Sequence, residues 1–200
     1  ISFGTGVMGS ISLAIEEFTE PGDPVLIQTP VYHPFFSVVQ HSRRTLLTNP
    51  LLRDEDGRYT IDFDDFEGHL RSGARLFLLC SPHNPVGRVW TEKELLRMAE
   101  LCSRYGCLII SDEIHCDLVF SENRHIPLVN LPGGQGEESI TCIAPSKSFN
   151  IPGLTVSAVV ISDDRLRRRF SRSVRRHHSS ILNLMSILAL ETAYRYGKPW

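Results

Sequence analysis

"RLFLLCSPHNPVGRVWTEKELLRMAELCSRYGCLIISDEIH" (residues 75–115) passes through several patterns in one short stretch. An apolar run at 75–80 leads into a turn punctuated by proline and glycine. A segment with apolar residues at helical spacing follows, and a second apolar run closes at 107–112. The runs are continuous rather than alternating, which is the pattern of strands buried on both faces of a parallel sheet. The helix between them carries its own start and stop signals. Thr91 and Glu94 form a capping box, Leu95, Ala99 and Cys102 share a face, and Gly106 ends it. Strand, helix, strand is a βαβ unit, so the expected class is α/β, a mixed, mostly parallel sheet flanked by helices.

The same alternation extends on both sides. Runs at 25–28, 140–144 and 155–161 read as further strands, and 8–19 and 63–72 as further helices. The opening "ISFGTG" reads as the end of a strand, and "GTGVMGS" as a glycine-rich turn opening a helix. "NLPGGQGEES" (130–139) is a surface loop. From Asp163 onward the pattern is helical, with seven arginines between Arg165 and Arg176. Asp163 and Asp164 beside them favour a solvated face over a nucleic-acid surface. A last helix, 181–196, is apolar enough to pack on this domain or on sequence outside the chain. Because Ile1 is no start methionine and "YGKPW" stops just past a helical pattern, the chain reads as an internal fragment.

Composition narrows the function classes. The 200 residues are 42% hydrophobic and 22% charged with a net charge of −2, which points to neither a nucleic-acid binder nor a membrane-surface protein. No apolar run approaches the ~18–20 residues of a spanning helix. The five cysteines include no CxxC pair, so they read as reduced thiols packed as small hydrophobes in a cytoplasmic protein. The spacing of His83, His115 and Cys116 supports no metal site.

In open α/β sheets, ligands gather at the carboxyl ends of the strands. The polar residues just past the runs are Asn84, then Asp112 with Glu113 and His115, then Lys147, with "GTGVMGS" at the first strand. Each has an ordinary alternative: a turn former, a helix cap, a surface lysine, a turn that binds nothing. The glycine-rich turn lacks the Lys-Ser/Thr ending of a P-loop, but its free N–H groups suit a single phosphate. Together, a phosphate cradle, a carboxylate, an amide and a lysine are the parts needed to hold pyridoxal 5′-phosphate. The lysine condenses with the aldehyde, the carboxylate keeps the pyridine nitrogen protonated, and the amide steadies the ring oxygen. Tyr32, in "TPVYHPFF", supplies a ring to stack on it.

With these residues, the chain resembles the large domain of fold-type I pyridoxal-phosphate enzymes, the class I/II aminotransferase group. The resemblance rests on "PGDPVLIQTPVYHPF", "SPHNPVGRVWTEKEL", "SDEIHCDLVF" and "APSKSFNIPGL", in the family's order and spanning essentially all 200 residues. "PHNPVGRVW", "DEIHCDLV" and "SKSFNIPGL" look most like its cystathionine β-lyase or C–S lyase branch, of the MalY/PatB type. Typical aminotransferases have tyrosine where this chain has His115. The resemblance implies that Lys147 is the Schiff-base lysine and the base for the Cα proton. It implies that Asp112 pairs with the pyridinium, Asn84 bonds the ring oxygen, and Tyr32 and Ile114 cover the ring's two faces. Val7 and Met8 would offer backbone N–H groups to the phosphate, with the Ser146 hydroxyl, and His115 would sit near the ring oxygen. The chain departs from many relatives at Ala144, where they have serine, and at Thr155, where they have arginine.

The resemblance further implies that residues 1–200 are the cofactor-binding large domain of a homodimer. An N-terminal segment and a C-terminal small domain would lie outside it. The implied activity is a carbon–sulfur β-lyase cleaving cystathionine or related cysteine S-conjugates, a small-molecule amino-acid substrate, to a thiol, pyruvate and ammonia. The alternatives are an aminotransferase on the same cofactor and, least favoured, a regulatory binding role through the arginine-rich helix.

Overall fold

The computed structural model describes residues 1–179 and 182–200. Its strands are β1 (Ser2–Gly4), β2 (Pro24–Thr29), β3 (Thr45–Pro50), β4 (Leu52–Arg53), β5 (Tyr59–Thr60), β6 (Leu76–Cys80), β7 (Leu108–Asp112), β8 (Ser139–Ile143) and β9 (Ser157–Val160). The α-helices are α1 (Val7–Phe18), α2 (Pro34–His41), α3 (Phe63–Arg71), α4 (Glu92–Tyr105), the single turn α5 (Pro145–Ser148), α6 (Asp164–Arg176) and α7 (Leu184–Tyr196). A seven-stranded sheet runs β1-β9-β8-β7-β6-β2-β3, and β4 and β5 form a separate hairpin. Only β9 runs against its neighbours, antiparallel to both β8 and β1, and every other pair in the sheet is parallel. The expected mixed, mostly parallel α/β class is what the chain adopts.

Period-two alternation along the strands divides the core into two layers. Val25, Ile27, Leu76, Leu78 and Ile110 pack beneath α1, α2 and α6, which contribute Ile11, Phe35 and Phe170. Leu26, Phe77, Leu79 and Ile109 face α3 and α4, which contribute Phe66, Leu95 and Met98. Each such side chain gains about 1.5–3 kcal/mol by leaving water, so a strand covered on both faces needs apolar residues at nearly every position. The α4 signals are all in place. Thr91 and Glu94 cap each other reciprocally, and Gly106 takes the left-handed conformation at φ 65°. Leu95, Ala99 and Cys102 lie buried on one face.

Some elements were not legible. The edge strand β3 is only partly buried, so "TLLTNP" shows neither a continuous nor an alternating pattern. α2 starts on Pro34 within a stretch that reads as loop, because its apolar contribution rests on Phe35 and Val39 alone. The helical pattern after Asp163 is not unbroken. α6 ends at Arg176, His178 turns to φ 54°, and α7 begins only where Asn183 accepts the Ser186 N–H at 2.8 Å. The expected start at 181 falls outside the described residues.

The arginines of α6 behave as a solvated face. Arg169 and Arg176 pair with Glu17 of α1 at 3.3 and 3.0 Å, while Leu166, Phe170 and Val174 turn inward. In α7, Leu184, Met185 and Leu188 remain exposed, and Tyr194 packs edge-on against Phe149 at 5.5 Å. Among the described residues, no helix is long and apolar enough to cross a membrane.

Candidate active site

Strand direction gathers the chemistry. Because β9 alone is reversed, the carboxyl ends of β1, β8, β7, β6 and β2 share one edge with the beginning of β9. The register sets Cys80, Asp112 and Cys142 side by side, and Gly4 opposite Ser157. Along that edge stand the start of α1 with Val7 and Met8, Lys147 on α5, Asp112 with Ile114 and His115, Asn84, and Tyr32.

Asp112 is only 4% exposed, and one protein donor reaches it among the described residues, the Ile114 N–H to Oδ1 at 3.1 Å. Burial pushes its carboxyl up to about 7, opposed by the Ile114 N–H and by the charge of Lys147, while Glu113 adds to the rise. Desolvation wins because one N–H replaces little of the water a carboxylate loses. Its neighbours Cys80 and Cys142 are also buried, and both thiols are pushed upward by desolvation and by Asp112.

The next residue is handled differently. Glu113 is 1% exposed, and three donors meet it: Ser111 Oγ and the Leu128 N–H at 2.9 Å on Oε1, and His125 Nε2 at 2.8 Å on Oε2. The side chain ties the end of β7 to the 125–131 loop on the far side from Asp112. Glu113 and His125 form a support that sequence reading did not find. The acidic pair "DE" was visible, but nothing in the sequence links it to a histidine a dozen residues on.

Lys147 is exposed on α5 and makes no hydrogen bond or ion pair through its amine among the described residues. Its turn is held instead at the backbone, by Phe149 N–H to Pro145 O at 2.9 Å and Ile151 N–H to Ser146 O at 3.0 Å. Ser146 is half-buried in the same turn. His115 is half-buried, and burial together with Lys147 holds its imidazole below the usual range, which favours the neutral ring.

Asn84 is positioned by a rigid turn. The His83 N–H reaches Arg88 O and the Gly87 N–H reaches His83 O, both at 2.8 Å. His83 Nε2 donates to Pro30 O at 2.9 Å, and its ring meets Trp90 edge-on at 5.4 Å. Trp90 in turn donates to Cys80 O at 2.9 Å, and Arg88 grips both Glu94 oxygens at 2.7 and 2.9 Å beneath the turn. "PHNPVGRVW" is thus a scaffold that presents Asn84. A cavity of about 250 Å³ opens beside Asn84 and His115, bounded by Leu118 and Val119. Tyr32 is exposed at the far end of the edge, braced edge-on by Phe35 at 6.3 Å.

At the other end, Gly6 precedes α1 with φ 95°, a conformation that favours glycine, and no side chain caps the helix. The first N–H groups of α1 therefore remain open toward the edge. Gly4 is needed for another reason. A Cβ there would run into Ser10 Oγ, where Ser10 and Ser157 hydrogen-bond at 2.9 Å and fix α1 to β9. Among the described residues, no group of three or more His, Cys, Asp or Glu could hold a metal ion.

Residues 1–193 match the family model for aminotransferase class I and II. The chain belongs to this family. It is 46% identical over 201 residues to the cystathionine beta-lyase PatB of Bacillus subtilis, covering 100% of this chain and 52% of that protein. To the protein MalY of Escherichia coli it is 36% identical over 202 residues, covering 100% and 51%. Cystalysin from Treponema denticola, whose crystal structure contains a pyridoxal 5′-phosphate cofactor, superimposes with a TM-score of 0.94 at 35% identity over 99% of this chain and 50% of that one. The chain spans about half the length of the curated relatives it matches. Ala144, buried as the residue before α5, and Thr155, exposed just before β9, lie on the same edge.

These residues fit a cationic, phosphate-bearing ring. The buried Asp112 lacks the donors that a carboxylate requires, so a protonated ring nitrogen would answer it. The uncapped start of α1 would answer a phosphate.

Proposed function

We propose that residues 1–200 are the cofactor-binding domain of a pyridoxal-phosphate-dependent carbon–sulfur β-lyase acting on cystathionine or related cysteine S-conjugates. The observation that carries the reading is Asp112, a buried carboxyl left with one N–H donor on the edge that also bears Lys147. Similarity to PatB favours the lyase over the aminotransferase. When bound, pyridoxal phosphate supplies an aldehyde that takes up the substrate amine and a ring that accepts the electrons released at Cα.

The chain's residues then have distinct tasks. Lys147 Nζ would hold the cofactor and take the Cα proton. Asp112 would keep a proton on the ring nitrogen. The Asn84 amide would donate to the ring oxygen, with a neutral His115 nearby. Tyr32 and Ile114 would cover the ring. The Val7 and Met8 N–H groups and the Ser146 hydroxyl would bind the phosphate. With water, the products are a thiol, pyruvate and ammonia. In the full-length protein we propose a homodimer, which light scattering would measure directly.

The test uses the full-length protein loaded with pyridoxal phosphate and given L-cystathionine without an amino acceptor. Sustained pyruvate release, lost in Lys147→Ala, supports the reading. Turnover that begins only when a 2-oxo acid is added would make the protein an aminotransferase.

A further inference from the structure

Lys147 has a long flexible stem and lies in a helix of a single turn, so its reach depends on how firmly the turn is seated. The strand carrying Asp112 is locked by parallel pairing on both sides, but α5 belongs to no ladder. One side-chain bond joins the two segments directly. Ser148, buried and adjacent to Lys147, donates its hydroxyl to Asp117 Oδ2 at 2.7 Å, and Asp117 lies five residues beyond Asp112 on the same segment. Backbone bonds hold that segment in turn, with Cys116 N–H to Glu113 O at 3.0 Å and Leu118 N–H to His115 O at 2.9 Å. On the other side of Ser148, Trp200 Nε1 donates to its carbonyl at 2.9 Å, which closes the far side of the turn.

We propose that Asp117 is a positioning residue for Lys147, acting through Ser148. The inference rests on the proposed role of Lys147 and adds that the lysine's placement relative to Asp112 is set by the Ser148–Asp117 bond. A displacement of about 1 Å in a reacting group can cost on the order of a hundredfold in rate. A hydrogen bond to a charged but partly solvated acceptor accounts for about tenfold of such an effect.

The experiment compares full-length wild type with Asp117→Ala, Asp117→Asn, Ser148→Ala and the Asp117→Ala/Ser148→Ala double variant, all loaded with pyridoxal phosphate. Three quantities are read: kcat and KM for β-elimination, the absorbance of the lysine-bound cofactor across pH, and thermal stability. The expected result for Asp117→Ala is a fall in kcat of about tenfold with KM nearly unchanged, and a displaced absorbance titration. Asp117→Asn keeps an acceptor oxygen and restores most of the rate. The double variant is no slower than either single alanine variant, because both remove the same bond.

Additive losses in the double variant would overturn the proposal. So would wild-type kcat and absorbance in Asp117→Ala, or a loss of thermal stability with no change in the absorbance titration. If wild type fixes no cofactor at Lys147, the underlying functional reading has failed instead, and the two failures are told apart.

Discussion

Asp112 and Glu113 are adjacent carboxyls, both almost wholly buried, yet their surroundings are opposite. Glu113 faces the interior between β7 and the 125–131 loop, and three protein donors meet its oxygens. Asp112 faces the sheet edge, has a single N–H, and is pushed up to about 7. A buried polar group with its partners present belongs to the fold, whereas one left short is a strain that something outside the chain can relieve. The contrast separates support from candidate site within two residues.

Lys147→Ala is expected to have the largest effect. On the proposed role of Lys147 as attachment point and base, its loss should lower kcat/KM for β-elimination by about 10³–10⁴-fold, measured as pyruvate release, and should abolish borohydride-trapped cofactor. Next comes Asp112→Asn, which should cost about 10²–10³-fold in kcat if, as proposed, Asp112 is the anionic partner of the ring nitrogen.

The same change should act oppositely on the stability of the cofactor-free protein. With a folded carboxyl near 7 and an unfolded one near its ordinary ~3.9, the native state holds the extra proton between these values. Stability from this group therefore falls as pH rises from about 4 through 7. Asp112→Asn should flatten that fall and stabilise the apo-protein at pH 8 by on the order of 2–4 kcal/mol, read by denaturant unfolding. Glu113→Gln should instead destabilise by about 3 kcal/mol, since an amide NH₂ would be turned against a buried donor, His125 Nε2 or the Leu128 N–H. The smallest effect should be Asn84→Ala, about tenfold in kcat with stability close to wild type, because Asn84 is presented by the turn and does not build it.

The candidate site was more legible in the sequence than its supports. The strands that carry Asn84, Asp112 and Lys147 are covered on both faces, so their apolar runs stand out, and the polar residue at each end marks the edge. β3 and α2 were missed because each buries too little to impose a period. The Glu113–His125 pair and the Ser148–Asp117 bond were hidden for a different reason. They join residues through tertiary contact, and neither spacing nor composition carries that information. Residues quoted for their motif also divided by role. His83, Arg88 and Trp90 turned out to hold the Asn84 turn in place.

In the proposed reading, Asp112 is left short of donors so that a bound cation can answer it. The direct measurement is the titration of the Asp112 carboxyl by ¹³C NMR in the full-length protein, without and with pyridoxal phosphate. The expected result is a midpoint near 7 without cofactor and a fall below the ordinary ~3.9 of an aspartate once the cofactor is bound. An Asp112 carboxyl whose midpoint stays the same on loading would contradict it.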